Sequence, residues 1–210
     1  MAGPQGPRGE SALAVNYKAG PGIVIENDTI RSAASHRIGE QYQGGVVFWV
    51  DGSGQHGLVV SKHDLNEGQG IQWRNGDSGN KITNARSDGI HAGDVNTRLI
   101  VASQTIDNQS GNFAALVAST FAVQADGETP CDSESTSTCY GGWYLPSRYE
   151  LSLLANNTQH NAITSFAPDY YWSSTEASVS EAWLQAMPTG EQMASEKAST
   201  LGRVRAVHAF

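Results

Sequence analysis

The segment GGWYLPSRYEL, residues 141–151, decides how the rest of the chain is read. Ser147 and Glu150 stand at capping-box spacing, in which a serine hydroxyl and a glutamate carboxylate satisfy each other's backbone N–H groups. Leu151 and Leu154 follow on one face, so a helix is predicted to begin here, with Leu145 and Pro146 leading into it.

Outward from this helix start, strands are predicted on both sides. Downstream lie YYWSST (170–175), AWLQAM (182–187) and RVRAVHAF (203–210). Upstream lie GGVVFWV (44–50) and HGLVVS (56–61), joined by the glycine-rich turn DGSGQ. Residues 62–95 are polar and read as a long loop, with a short strand at Ile71–Trp73. A loop of that length inside a compact domain is functional or disordered, and Trp73 favours order. Asn96 can cap a helix through Thr97–Ser103. Asp107 or Asn108 can start another, in which Phe113, Leu116, Val117 and Phe121 recur at helical spacing. Strands, then helices, then strands give an α+β class, with the first and last strand systems expected to pair.

The N-terminus differs. Gly3, Gly6 and Gly9 fall on a three-residue period with Pro4 and Pro7 after glycine, the grammar of a three-chain collagen helix. Ile23, Ile25 and Ile30 then flank an Asn27-Asp28 turn, a hairpin signal. A hairpin this small buries no core alone. It is therefore expected to form a three-chain collar, the alternative being an edge hairpin on its own domain. The expected organisation is a stalk end over 1–11, a trimerisation collar over 12–38 and a globular head over 39–210. Met1-Ala2 running straight into the collagen register reads as an engineered start, so a fragment of a longer secreted protein is expected.

Composition agrees with an extracellular module: 39% hydrophobic, only 16% charged, and 23 glycines. No apolar run reaches membrane-spanning length, so no insertion of this fragment is expected. Cys131 and Cys139 flank a polar loop. They read as one local disulfide in an oxidising compartment, the alternative being two free thiols. The formal charge is −8, and three copies triple it, which argues against generic polyanion binding, nucleic acid included. The second half is the more acidic, so an anionic ligand is expected to meet the first half.

Three motifs together carry a resemblance: residues 141–151, YWSSTE (171–176) and VRAVHAF (204–210). With GQHGL (54–58) and Asn96-Thr97, they resemble the bacterial domain family named after the C-terminal domain of the legionella collagen-like protein, over about residues 44–210. The LPSRYEL element also looks like the LPTEAEW element of formylglycine-generating enzymes. By that analogy a C-type-lectin-like variant is expected, a small twisted antiparallel sheet with packed helices, with Trp143, Trp172 and Trp183 filling the core. The family resemblance implies a homotrimeric adhesin on the bacterial surface that binds sulfated glycosaminoglycans and supports attachment, biofilm formation and virulence.

No enzyme is expected. The two cysteines match no catalytic motif, and Ser173, Ser174 and Thr175 read as strand hydroxyls bonding backbone. No cofactor is expected. Calcium through Asp51, Asp77, Asp88 and Asp94 is weighed against turn capping, which is favoured. For a sulfated glycan the segment 62–98 offers Lys62, His63, Arg74, Lys81, Arg86, His91 and Arg98, interspersed with acids. Arg31, His36 and Arg37 form the densest basic stretch, at the expected collar–head junction, where a trimer would gather them near its axis. The candidate glycan-binding set is therefore Arg31, His36, Arg37, Lys62, His63, Arg74, Lys81 and Arg86. The competing reading is a trimerisation cap or fibre tip without specific glycan recognition.

Overall fold

A computed structural model describes residues 23–26, 29–32, 35–76, 79–132, 134–159, 163, 166–187 and 189–210. The collagen register at Gly3, Gly6 and Gly9 lies outside them. The chain divides into two compact units, Met1–Ser35 and His36–Phe210. In the first, β1 (Ile23–Glu26) and β2 (Thr29–Ser32) form an antiparallel hairpin with Ile25 opposite Ile30.

The second unit is α+β. Strands β3 (Gln41–Tyr42), β4 (Gly45–Val50) and β5 (Gly57–Ser61) lead into a long irregular segment. Helices α1 (Ala92–Gln104) and α2 (Ala114–Thr120) follow, then a short pair, β6 (Val123–Gln124) and β7 (Cys139–Tyr140). Helix α3 (Arg148–Gln159) precedes β8 (Tyr170–Glu176), β9 (Glu181–Ala186), β10 (Gln192–Glu196) and the last strand, β11 (Val207–Ala209). One sheet has the order β11-β5-β4-β3 and another β10-β9-β8, all neighbours antiparallel. The pairing of β11 with β5 joins the first and last strand systems, as their apolar patterns predict.

Residue parity divides the core. Val47 and Val59 join Trp73, Ile100, Phe113, Trp143, Leu145 and Trp172 in one cluster. Phe48, Leu58 and Val60 join Tyr144, Leu151, Leu154, Tyr171 and Val207 in another. Successive strand side chains point to opposite faces, so β4 and β5 line both clusters, and β5 is buried along its whole length.

Several expectations are corrected. Helix α1 begins at Ala92, not after an Asn96 cap. Asn96 is buried inside the helix, where it accepts from Ser87 N at 3.1 Å and donates to Ser87 O at 2.7 Å, fastening the preceding loop. Helix α2 begins at Ala114, because the Asn108 side chain caps its own turn at Ser110 N, 3.0 Å away. Ile71–Trp73 is no strand. Its amides bond singly to Gly202 O and Lys197 O without a ladder. Strand β10 carries no apolar alternation and escapes sequence reading. Trp143 and Trp172 are buried, but Trp183 is half-exposed under the Arg148 guanidinium, 4.7 Å from its ring centroid. The second compact unit runs from His36 to Phe210. His36 N donates to Gly54 O at 2.7 Å and its ring lies 4.0 Å from Tyr42.

Candidate functional site

The three motifs far apart in sequence are neighbours in space. Ser174 N donates to Pro146 O at 2.7 Å, and Arg148 N to Thr175 Oγ1 at 3.0 Å. Tyr144 and Val207 exchange two backbone hydrogen bonds of 2.9 Å. Ser173 Oγ donates to Trp183 O and Ser174 Oγ accepts from Asn96, so these hydroxyls serve the framework.

At the centre is Glu150, fully buried. The capping box forms: Ser147 N donates to Glu150 Oε2 at 2.7 Å and Glu150 N to Ser147 Oγ at 3.2 Å. The same carboxylate also accepts from His91 N at 2.8 Å, Gly93 N at 3.2 Å and the Tyr144 hydroxyl at 3.0 Å. One side chain therefore caps both α1 and α3. This explains how α1 starts after His91, which flanks it in a left-handed conformation (φ 64°) and offers no side-chain cap. Glycine is required at 93, because a Cβ there would lie 2.6 Å from both Glu150 Oε2 and Leu145 O. Burial pushes the Glu150 carboxyl up, against the opposing pull of its donors Ser147, Tyr144 and His91. Burial likewise raises Tyr144.

A second buried carboxylate, Glu176, orders the long 62–91 segment. It accepts from Thr83 N at 2.8 Å, Thr83 Oγ1 at 3.0 Å, Asn84 N at 3.2 Å and Lys197 Nζ at 2.6 Å. Lys197 Nζ completes its three donations at Lys81 O and Val179 O and sits 4.7 Å over the Trp73 ring. Burial works against ionisation of Glu176, but the Lys197 and Thr83 hydrogen bonds prevail and hold it below its ordinary value. Arg203 and Arg205 share Asp64, at 3.1 and 2.5 Å, and brace the last segment against the loop after β5.

The sequence-nominated basic residues do not form one patch of free charge. Lys62 and His63 both face Glu128, at 3.8 and 2.6 Å. Arg74 donates to Asn80 at 3.1 Å, and Lys81 pairs with Asp107. Arg86 lies 3.7 Å from the buried Glu176. His36 pairs with Glu40 at 3.0 Å and holds that carboxyl below its usual range. The Arg37 side chain is exposed, in no ion pair formed among the described residues. Arg31 belongs to β2 opposite Val24, in the other compact unit, and its side chain lies outside the described residues.

The acids have local work. Asp51 accepts from Ser53 and Gly54 amides, and Asp88 caps α3 at Tyr149 N. Asp77 lies outside the described residues. Asp126 is held at about 2 by the Thr129 hydroxyl and the Glu128 and Thr129 amides. Cys131 and Cys139 are disulfide-bonded. Among the described residues no group of three His, Cys, Asp or Glu is placed to hold a metal ion.

A cleft of about 300 Å³ opens beside the Glu150 hub, lined by His91, Asp94, Arg98, Gly142, Tyr144 and His208. His91 and Arg98 are legible as polar residues of the 62–98 segment. His208 is not, because its only sequence signal is its place in VRAVHAF. No family model matches the chain, and no curated protein matches its sequence.

Proposed function

We propose that this chain is the head of a secreted, surface-displayed bacterial adhesin. It is held as three copies at the end of a collagen-like stalk, is not an enzyme, and binds sulfated glycosaminoglycans to support attachment and biofilm formation. The observation that carries this reading is the convergence of the three resemblance motifs around Glu150. Residues 141–151, 171–176 and 204–210 make one packed unit, as expected if they are inherited together. The same arrangement, helices against small antiparallel sheets with the first and last strand systems of the second unit paired, supports a C-type-lectin-like variant.

The paired state of the basic residues shapes the binding. A sulfated chain reaching Lys62, His63, Lys81 or Arg86 competes with carboxylates already in place. Each contact is then weak and strongly salt-dependent, and affinity comes from three linked heads. Retention on a heparin column with early salt elution is the expected result. The site assignment fails if elution is unmoved when Arg31, Arg37, Lys62, Arg74, Lys81 and Arg86 are all neutralised.

A structural reading, the head as trimerisation cap, has its own support. The hairpin strands have four residues each, and Ile30 is 68% exposed. Such a hairpin needs apolar partners, and three copies supply them. A monomer in light scattering would remove the trimer from both readings. No helix among the described residues is long and apolar enough to cross a membrane.

A further inference from the structure

We propose that the cleft between the start of α1 and the last strand is a subsite for one acidic sugar residue, its oxyanion gripped by Arg98. The ligand class rests on the glycan-binding reading above; the location does not come from that reading. His91 and Arg98 are among the basic residues of the 62–98 segment but outside the final candidate set, and Asp94, Tyr144 and His208 have no place in that glycan reading.

Three segments meet here. The beginning of α1 supplies His91, Asp94 and Arg98, the approach to α3 supplies Gly142 and Tyr144, and β11 supplies His208. At about 300 Å³ the cleft is at the small end of ligand pockets, suited to one sugar unit of a longer chain. Arg98 lies one helical turn after Asp94, and its Nε and Nη2 fork onto the two carboxylate oxygens at 3.0 and 2.9 Å. That fork aims the guanidinium and leaves its Nη1 edge for a ligand. The side chain is 77% exposed, so little desolvation precedes binding.

An Asp–Arg pair one turn apart on a helix is ordinary by itself. What sets this one apart is its company. His208 presents an imidazole whose Nδ1 is 3.3 Å from Gly142 O and whose Nε2 is 3.1 Å from Gln43 Oε1, which fixes the ring. His91 is exposed, its ring edge-on to Trp49 at 6.3 Å. Gly142 adopts a left-handed backbone (φ 74°), which favours glycine, and borders the His208 ring.

Beneath, Glu150 holds His91 by its amide and Tyr144 by its hydroxyl, so two lining residues are fixed before any ligand arrives. Arg98 and the His91 imidazole supply donors for a carboxylate or sulfate, the His208 ring, held at both nitrogens, forms a fixed wall, and Asp94 supplies an acceptor for a sugar hydroxyl. A uronate or an O-sulfated hexose carries both kinds of group.

The test is titration of the full chain with a sulfated heparin-derived disaccharide, followed by calorimetry and by the imidazole nitrogen signals of His91 and His208. Both imidazole signals are expected to move. Arg98→Ala is expected to weaken binding about tenfold, as loss of a charge-assisted contact does. Arg98 is exposed, so its truncation leaves the fold intact. Undiminished disaccharide binding by Arg98→Ala, or equal binding of an uncharged disaccharide, overturns the subsite. If wild-type protein is retained on heparin but the disaccharide leaves both imidazoles unmoved, the subsite falls and the adhesin reading stands. If wild-type protein is not retained at all, both fall.

Discussion

Glu150 and Glu176 are both buried carboxylates at the centre of hydrogen-bond clusters, yet they are stabilised in opposite ways. Glu176 has a buried ammonium against it, Lys197 Nζ at 2.6 Å. Glu150 has no cation partner among the described residues and faces backbone amides of two helix starts and a phenol. The lesson is that an anion can be housed by partial charges if enough orphan donors point at it, as they do where helices begin. The consequence shows in the titrations: the ion-paired Glu176 is held below its ordinary value of 4.5, and burial lifts Glu150 above it.

The largest effect expected from breaking this contrast is on the ion-pair side. Lys197→Ala strands the Glu176 carboxylate and should cost about 3–5 kcal/mol in urea unfolding. The double change Lys197→Met with Glu176→Leu should recover part of that loss. Next comes Glu150→Gln. Its amide NH₂ would face donors that now meet only acceptor oxygens, so a loss of about 2–3 kcal/mol is expected from the same measurement. A loss under about 0.5 kcal/mol would show that Glu150 caps neither helix.

The smallest effect is the sharpest discriminator, because it is one of sign. The folded-state value of Glu176 is depressed. Its contribution is therefore present above the unfolded value and lost as pH falls through the folded one, so wild type loses ground to Glu176→Gln as pH falls below the ordinary value of 4.5. The folded-state value of Glu150 is raised. The folded state then binds the extra proton, and wild type gains on Glu150→Gln as pH falls through the raised folded value toward the unfolded one. Parallel slopes in the two stability–pH profiles would remove the distinction.

The two carboxylates also mark what a sequence discloses. Ser147 and Glu150 are three residues apart, and the local geometry of a helix start forces them together, so the start of α3 was legible. The strands β4, β5 and β8 were legible because β-branched and aromatic runs have few alternatives to a buried sheet. The start of α1 was not, because its cap is Glu150, 59 residues beyond His91. Lys197 was not, because its partner Glu176 lies on β8, with β9 and β10 between them in the chain. The candidate binding residues suffered most. Lys62, Lys81 and Arg86 looked available because Glu128, Asp107 and Glu176 are far off in sequence. Distant pairing is what turns an apparent basic segment into a neutral surface.

The shared cap has a kinetic meaning. With one carboxylate closing both helices, the amide protons of His91, Gly93 and Ser147 are guarded by one event, the departure of Glu150. Their exchange with deuterium should follow a common opening rate, although 56 positions (91 to 147) separate the first from the last of that bonded set. The two helix starts then fray or hold as one cooperative body.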